Sequence, residues 1–515
     1  MTAHLVRTAV LATLLLLGAC GSGKNGDMSP STPAPARGQL ITSPPARKAT
    51  FDPVALTTVL GGSDLGKQLL QLAYTPRCSI DVYHLEYRTV DPAGAITPAS
   101  GAMMVPHGSD AACSGSLPIL LYAHGTSTNE AFDIGDVQTG ANAEGVLLAA
   151  VFAAQGYIVV APNYVGYDIS TLGYHPYLVA DQQSKDMIDA LAAARSALPT
   201  AEAPSTTDGG KLFVTGYSQG GYVAMATHRA LQDAGSIVTA AAPMSGPYAL
   251  SAFGDAIFEG QVSDNAVANI ALLMNAYQHV YGDVYPAVGD AIEPAYAPTF
   301  EDLLPGATAV TDLQAQGKLP SALFSPTPPD PAYAVFTPAT APANLASVFA
   351  SGFATAHLIT NAYRKAYLDD ARTAPDGGFP TRSDGLPPSN PANPLRKDLK
   401  TNDLRAWTPT APVLMCGGNA DPTVFYLNTQ LMQQYWTDHP PATAPVVLDV
   451  DSAVVPSDPY GDLKNGFTAA KDAVRVAAVA GGATDGGDLA VLQAYHAQLV
   501  PPFCLSAVKS FFDAH

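Results

Sequence analysis

Lys211-Leu212-Phe213-Val214-Thr215-Gly216-Tyr217-Ser218-Gln219-Gly220-Gly221-Tyr222 holds a strand signal, a turn signal and a helix signal in one short run. Leu212 to Thr215 is β-branched and aromatic, which predicts a short buried strand. Gly216-Tyr217-Ser218-Gln219-Gly220 matches G-x-S-x-G, and Val223, Ala226 and Ala230 then fall on one helical face. Strand, sharp turn and helix together form the context of a nucleophile elbow. So tight a turn strains the backbone of Ser218 and projects its hydroxyl from the sheet edge. Gly216 and Gly220 avoid the collisions that side chains would cause there.

Working outward, the chain alternates between strand and helix. Ile80–Thr89 and Gly101–Val105 read as an antiparallel pair, and Leu117–Ala123 as a buried strand ending in His124-Gly125-Thr126. A helix over Ala143–Gln155 stops at Gly156. A strand (Tyr157–Ala161), a helix (Asp181–Leu198), the elbow and a strand (Ile237–Pro243) follow. This rhythm predicts an α/β fold with a mainly parallel central sheet. It breaks after Tyr248. Residues 250–405 show helical patterns over Ala266–Tyr281 and Leu345–Leu368 between Pro-rich loops, which predicts an inserted helical cap. The alternation resumes with a strand at Ala411–Cys416, a helix at Val424–Trp436 and a strand at Val446–Val450. Helices over Leu489–Leu499 and Leu505–Ala514 close the chain. The expected divisions are a core in two parts, 51–249 and 406–515, with the cap between them.

Only 13% of the 515 residues are charged and the net charge is −19, which argues against nucleic-acid binding. An acidic balance favours solubility and says little about substrate. His4 and Arg7 precede an apolar run, Val10 to Leu17, too short to span a bilayer. With small residues before a cleavage point, residues 1–19 read as a signal peptide. Leu17-Gly18-Ala19-Cys20 resembles the lipobox of bacterial lipoproteins. That resemblance implies lipidation of Cys20 and residence in the cell envelope, at the outer membrane. Residues 20–50, rich in Ser, Pro, Gly and Thr, read as a disordered tether. Four further cysteines, Cys78, Cys113, Cys416 and Cys504, suggest two disulfides in an exported protein, with three possible pairings.

Three stretches resemble the α/β-hydrolase superfamily, and within it the secretory lipase-like esterases: His124-Gly125-Thr126; Ala161-Pro162-Asn163-Tyr164-Val165-Gly166-Tyr167-Asp168 with Tyr174-His175-Pro176-Tyr177-Leu178; and the elbow itself. The resemblance covers about residues 75–250 and 410–515 and implies the chain order nucleophile, acid, histidine. Ser218 is then the nucleophile, and its weakly acidic hydroxyl needs a base. His496 is the expected base. His228 lies ten residues along the elbow helix, ~15 Å away at helical rise. His124 shapes the adjacent loop, and His439 and His515 read as surface. Asp421, in Gly417-Gly418-Asn419-Ala420-Asp421-Pro422, is the expected acid, which holds the imidazole tautomer. Asp449 and Asp451 compete for that role. Gln219 and Thr126, or else Gly125, should offer backbone N–H groups to an oxyanion. Tyr217 and His175 are expected at the substrate pocket.

With these roles, Cys416 ends the strand bearing the acid and Cys504 follows the histidine by eight residues. Pairs Cys416–Cys504 and Cys78–Cys113 follow. Asp421 and His496 are 75 residues apart, more than the fold usually spends, and residues 452–487 read as an insertion whose role the sequence leaves open, a second flap over the site being one option. No H-E-x-x-H, Cys/His cluster or dinucleotide fingerprint occurs, so neither metal nor organic cofactor is implied. The resemblance implies a carboxylic ester hydrolase acting on lipophilic esters, with no protein partner in view. Two rivals remain: a peptidase using the same triad, and a non-catalytic binding lipoprotein on the same scaffold.

Overall fold

The computed structural model describes residues 36–62, 66–67, 70, 75–137, 143–201 and 205–515. The signal segment 1–19 and Cys20 lie outside them. Described strands form one sheet: β1 (Ala46–Phe51), β2 (Ser79–Val90), β3 (Ile96–His107), β4 (Gly115–Ala123), β5 (Ile158–Pro162), β6 (Thr206–Tyr217), β7 (Ala240–Met244), β8 (Leu414–Gly417) and β9 (Val446–Asp449). Their spatial order is β1-β2-β3-β5-β4-β6-β7-β8-β9. Pairings are antiparallel from β1 to β5 and parallel from there to β9. The chain thus has the α/β-hydrolase fold.

Side-chain alternation explains the layering. On β4, Ile119, Leu121 and Ala123 enter one core while Leu120 and Tyr122 enter the other. On β6, Leu212 and Val214 separate from Phe213 and Tyr217 in the same way. Helices Ala180–Ala197 and Gln219–Asp233 cover the first face. Helices Ala143–Val151 and Val500–Asp513 cover the second. Parallel strands buried on both faces need such cover.

β1 corrects the tether reading. Within 36–50, Leu40 bridges to Tyr87 and Arg37 pairs with Asp189 at 2.9 Å. Ala49 and Phe51 bury alternate side chains along β1. This two-residue period is too short to stand out from Pro- and Ser-rich surroundings.

Between β7 and β8 the described elements are helical, chiefly Leu250–Phe258, Ala266–Tyr281, Asn361–Thr373 and Pro394–Thr401. This segment packs within the same compact unit, Ala36–His515, as the sheet. The helix expected over 345–368 is instead two helices, Ala346–Ser351 and Asn361–Thr373. Gly352 ends the first where a Cβ would meet Val262 at 2.3 Å, and Thr360 caps the second through Tyr363 N–H. Buried ion clusters join the turns: Arg396 with Asp255 and Asp370, and Arg405 with Asp376 and Asp403.

The insertion does not lie over the site as a flap. It carries the helix Gly461–Ala480, whose buried Phe467 packs edge-on against Tyr495 and Phe503. The helix therefore backs the segment carrying His496. The disulfides are Cys78–Cys113 and Cys416–Cys504.

Candidate active site

Ser218 ends β6 and begins the elbow helix. Its φ of 60° and ψ of −123° are strained for a residue with a Cβ. Its N–H donates to Met244 of the neighbouring strand at 3.0 Å, which locks the turn to the sheet. A Cβ on Gly216 would approach Gly220 O at 2.3 Å, and one on Gly220 would approach Ala123 O at 1.9 Å. The two motif glycines are thus required by the close passage of β4.

His496 falls within the helix expected over 489–499, which the structure interrupts. It sits on a π turn, Tyr495–Leu499, inserted between helices Asp488–Ala494 and Val500–Asp513. Pro501 and Pro502 provide the local reason. Neither has an N–H for the carbonyls of Ala497 and Gln498 one turn back, so the regular ladder cannot continue. Nδ1 of His496 lies 2.7 Å from Asp421 Oδ2, and Nε2 lies 2.8 Å from Ser218 Oγ. A carboxylate only accepts, so Nδ1 carries the hydrogen and Nε2 is left to accept from the serine hydroxyl. Asp421 is buried, and its Oδ1 accepts from Thr423 N–H at 2.9 Å and Val424 N–H at 3.0 Å. The structure thus brings the three expected residues into one hydrogen-bonded chain.

Asp449 and Asp451 serve this arrangement from behind. Asp449 accepts from the main-chain and side-chain amides of Asn419 at 3.1 and 2.8 Å. The Tyr495 hydroxyl donates to Asp451 at 2.8 Å and accepts from Ala420 N–H at 3.2 Å. Lys471, from the insertion helix, pairs with the same Asp451. The loop bearing the acid is therefore tied to the residue beside the histidine.

The loop after β4 separates two residues left as alternatives. Gly125 N–H donates to both oxygens of Glu144, at 3.1 and 3.2 Å. Thr126 shares a cavity wall with Ser218 and holds Tyr177 through its hydroxyl at 2.9 Å. Gln219 opens the elbow helix, where an N–H has no intrahelical acceptor. Gln219 and Thr126 are the better donor pair, with Gly125 already engaged. His124 is buried, with Nδ1 2.6 Å from Gly125 O and Nε2 3.2 Å from Asn163 O; burial lowers its pKa to about 4, and a neutral ring donates to only one of the two carbonyls. It shapes the loop as a neutral ring.

The two residues expected at the pocket separate. His175 lines neither cavity around Ser218. Its Nδ1 meets Val165 O at 2.9 Å, so Nε2 accepts from the Gln219 side-chain amide at 2.8 Å. Burial lowers its pKa to about 3, which keeps it neutral and accepting. Tyr217 does line the larger cavity, and its hydroxyl also donates to the main-chain carbonyl of His496 at 2.5 Å. Glu144, Tyr495 and Lys471 were not singled out from sequence. Glu144 opens a helix beside the strand that precedes the loop, and nothing in its spacing marks it.

Two cavities meet at Ser218. One, of about 490 Å³, is walled by Thr126, Glu144, Tyr217, Asn269 and His496. The other, of about 60 Å³, runs under the helical segment among Leu250, Phe253, Ile257, Ile270 and Leu399.

The model of the Prolyl oligopeptidase family matches residues 147–282, which contain the elbow but neither Asp421 nor His496. The rice cell wall degrading esterase LipA from Xanthomonas oryzae is 28% identical, over 81% of this chain and 91% of that one, with a TM-score of 0.62. A ligand-bound form of that esterase aligns over 92% of this chain and 98% of its own at 25% identity and a TM-score of 0.65. A protein from Legionella pneumophila subsp. pneumophila, 18% identical with a TM-score of 0.61 over 92% of this chain and 98% of its own, shares the fold. No protein of curated function matches the sequence. Fold, elbow and relatives together define an α/β hydrolase of the serine hydrolase class, similar to lipase-like esterases.

Proposed function

We propose that this chain hydrolyses carboxylic esters, with Ser218 as nucleophile, His496 as general base and Asp421 as orienting acid. The observation that carries the reading is the hydrogen-bonded chain Asp421–His496–Ser218 ending at the meeting point of two cavities. In this reading Ser218 Oγ attacks the acyl carbonyl as His496 Nε2 takes its proton. The N–H groups of Gln219 and Thr126 receive the oxyanion. His496 then protonates the departing alcohol, and water releases the acid from the acyl-enzyme by the same route in reverse. The apolar cavity suits a lipophilic group, and the helical segment above it acts as a lid. Cys20 anchors the mature protein in the bacterial envelope, at the outer membrane.

Similarity to an esterase along nearly the whole chain supports an ester over a peptide substrate. The partial match to a peptidase family supports the rival. Against it, neither cavity wall includes Lys or Arg among the described residues, so no cationic clamp for a peptide terminus lines the site. The test pairs chromogenic esters of graded acyl length with peptide anilides, on wild type and Ser218→Ala. Ester turnover that vanishes in the variant is expected. Anilide turnover above ester turnover would favour the peptidase.

A further inference from the structure

We infer that Glu144 is a positioning residue for the oxyanion loop, holding Gly125 through its carboxyl. The inference rests on the serine hydrolase reading of Ser218 and adds a residue to it.

Glu144 stands at the start of the helix Ala143–Val151 and reaches back under the loop that follows β4. Its Oε1 accepts from the Tyr122 hydroxyl at 2.6 Å, and both oxygens receive Gly125 N–H. This grip fixes the His124–Gly125 peptide, one unit before the peptide that carries the Thr126 N–H and whose carbonyl lies 2.6 Å from His124 Nδ1. A shift of Gly125 would move the adjoining Thr126 N–H relative to the cavity, and an oxyanion donor misplaced by ~1 Å can cost ~100-fold in rate. The same carboxyl forms part of the wall that holds Ser218 and His496. A Cβ placed on Gly125 would lie 3.6 Å from Glu144 Oε2 and 3.9 Å from Ser218 Cβ, so carboxyl and nucleophile flank one small volume.

A negative charge there opposes the reaction. The transition state builds negative charge on the substrate oxygen, and a carboxylate beside it raises its energy. Burial pushes the Glu144 carboxyl up to about 7, against the Tyr122 and Gly125 hydrogen bonds that favour ionisation. The titratable groups facing it are Tyr122 on β4, Tyr164 after β5, Tyr217 at the end of β6, His124 beside the loop and His496 across the cavity. Burial holds the three phenols well above their usual range, so they remain neutral donors, and His124 is neutral. Glu144 therefore changes charge while the groups gripping it do not.

The sign follows. As pH rises through about 7 the carboxyl ionises, and turnover should fall. Because the folded value lies above the ordinary one, ionisation also weakens the fold. That cost grows from about pH 4.5 to about 7 and stays constant above.

The experiment measures kcat and KM from pH 5 to 9.5 with a short chromogenic ester on wild type, Glu144→Gln and Glu144→Ala, with melting at pH 5 and pH 8. Gln keeps an oxygen for Tyr122 and Gly125 and cannot ionise. Glu144→Gln should keep more of the wild-type kcat near pH 6 than Glu144→Ala, lack the alkaline fall and gain melting temperature at pH 8 relative to pH 5. Glu144→Ala should lose at least tenfold in kcat with KM within twofold. Equal losses in Gln and Ala would overturn the inference, because the charge itself would then be needed. So would wild-type kcat in both variants, or an alkaline fall that survives in Gln. If Ala does not fold, the pH profile of Gln still decides. A wild type inactive on esters and unlabelled by a serine-directed phosphonate would instead remove the underlying hydrolase reading.

Discussion

The Tyr217 hydroxyl donates to the main-chain carbonyl of His496 at 2.5 Å, joining the residue before the nucleophile to the backbone of the base. The two rings also lie 5.0 Å apart, tilted by 38°. The second position of the elbow motif therefore sets where the histidine stands, 279 residues later in the chain. Burial holds the phenol far above its usual pKa, so the donor is constant across ordinary pH.

Tyr217→Phe should keep the ring contact and lose the hydrogen bond. The carbonyl of His496 would then be buried without that partner, at a cost of about 1–3 kcal/mol. We expect kcat to fall about tenfold, KM to change little, and labelling by a serine-directed phosphonate to slow in parallel. Unchanged labelling with a lowered melting temperature would reduce Tyr217 to a packing residue.

Gly220→Ala should give an insoluble or unfolded protein. The new methyl would sit 1.9 Å from Ala123 O, and backbone on both sides leaves nothing flexible to yield. Gly173→Ala is the control, because no atom lies within 4 Å of its added Cβ. Soluble expression and circular dichroism of the two variants make the comparison, and a folded, active Gly220→Ala would contradict the elbow geometry.

Tyr495→Phe should lower activity more than stability. Its hydroxyl joins Ala420 N–H, beside the acid, to Asp451, which also holds Lys471. Loss of that bridge frees the acid loop from the histidine turn, and a fall of about ten- to a hundredfold in kcat is expected. Lys471→Met should produce a smaller loss in the same direction, and Lys471→Arg should restore it. Wild-type kcat in Tyr495→Phe would show that Asp421 is held well enough by Thr423 and Val424 alone.

The two disulfides should separate by effect. Cys416 lies in β8, five residues before Asp421, and Cys504 lies on the helix that continues from the His496 turn. Replacing that pair by serine should damage turnover before the fold melts. Cys78–Cys113 closes a loop of 35 residues near β2 and β4, so its loss should lower the melting temperature by a few degrees and spare kcat. Kinetics and melting of the two double variants test this, and indistinguishable kcat values would overturn it.

Much of this site is legible in the chain itself. Ser218 could be named from its own context, a turn with two glycines between a strand and a helix, whereas Asp421 and His496 could be named because their loop and their place in chain order resemble the α/β-hydrolase superfamily. The alternating cores of β4 and β6 could likewise be read, because a period of two is a local property of a strand. What the tertiary structure alone decided was the use of groups without such a context. Gly125 and Thr126 are adjacent and equally suited to donate, and only Glu144 folding back from the next helix engages one of them. His175 reads as a pocket residue until Val165 O and Gln219 fix its tautomer behind the wall. The role of the insertion stays open until Phe467 and Lys471 pack behind Tyr495. Sequence patterns record period and local turn chemistry. The partners of a hydrogen-bonding side chain come from chain segments brought together only when the cores close.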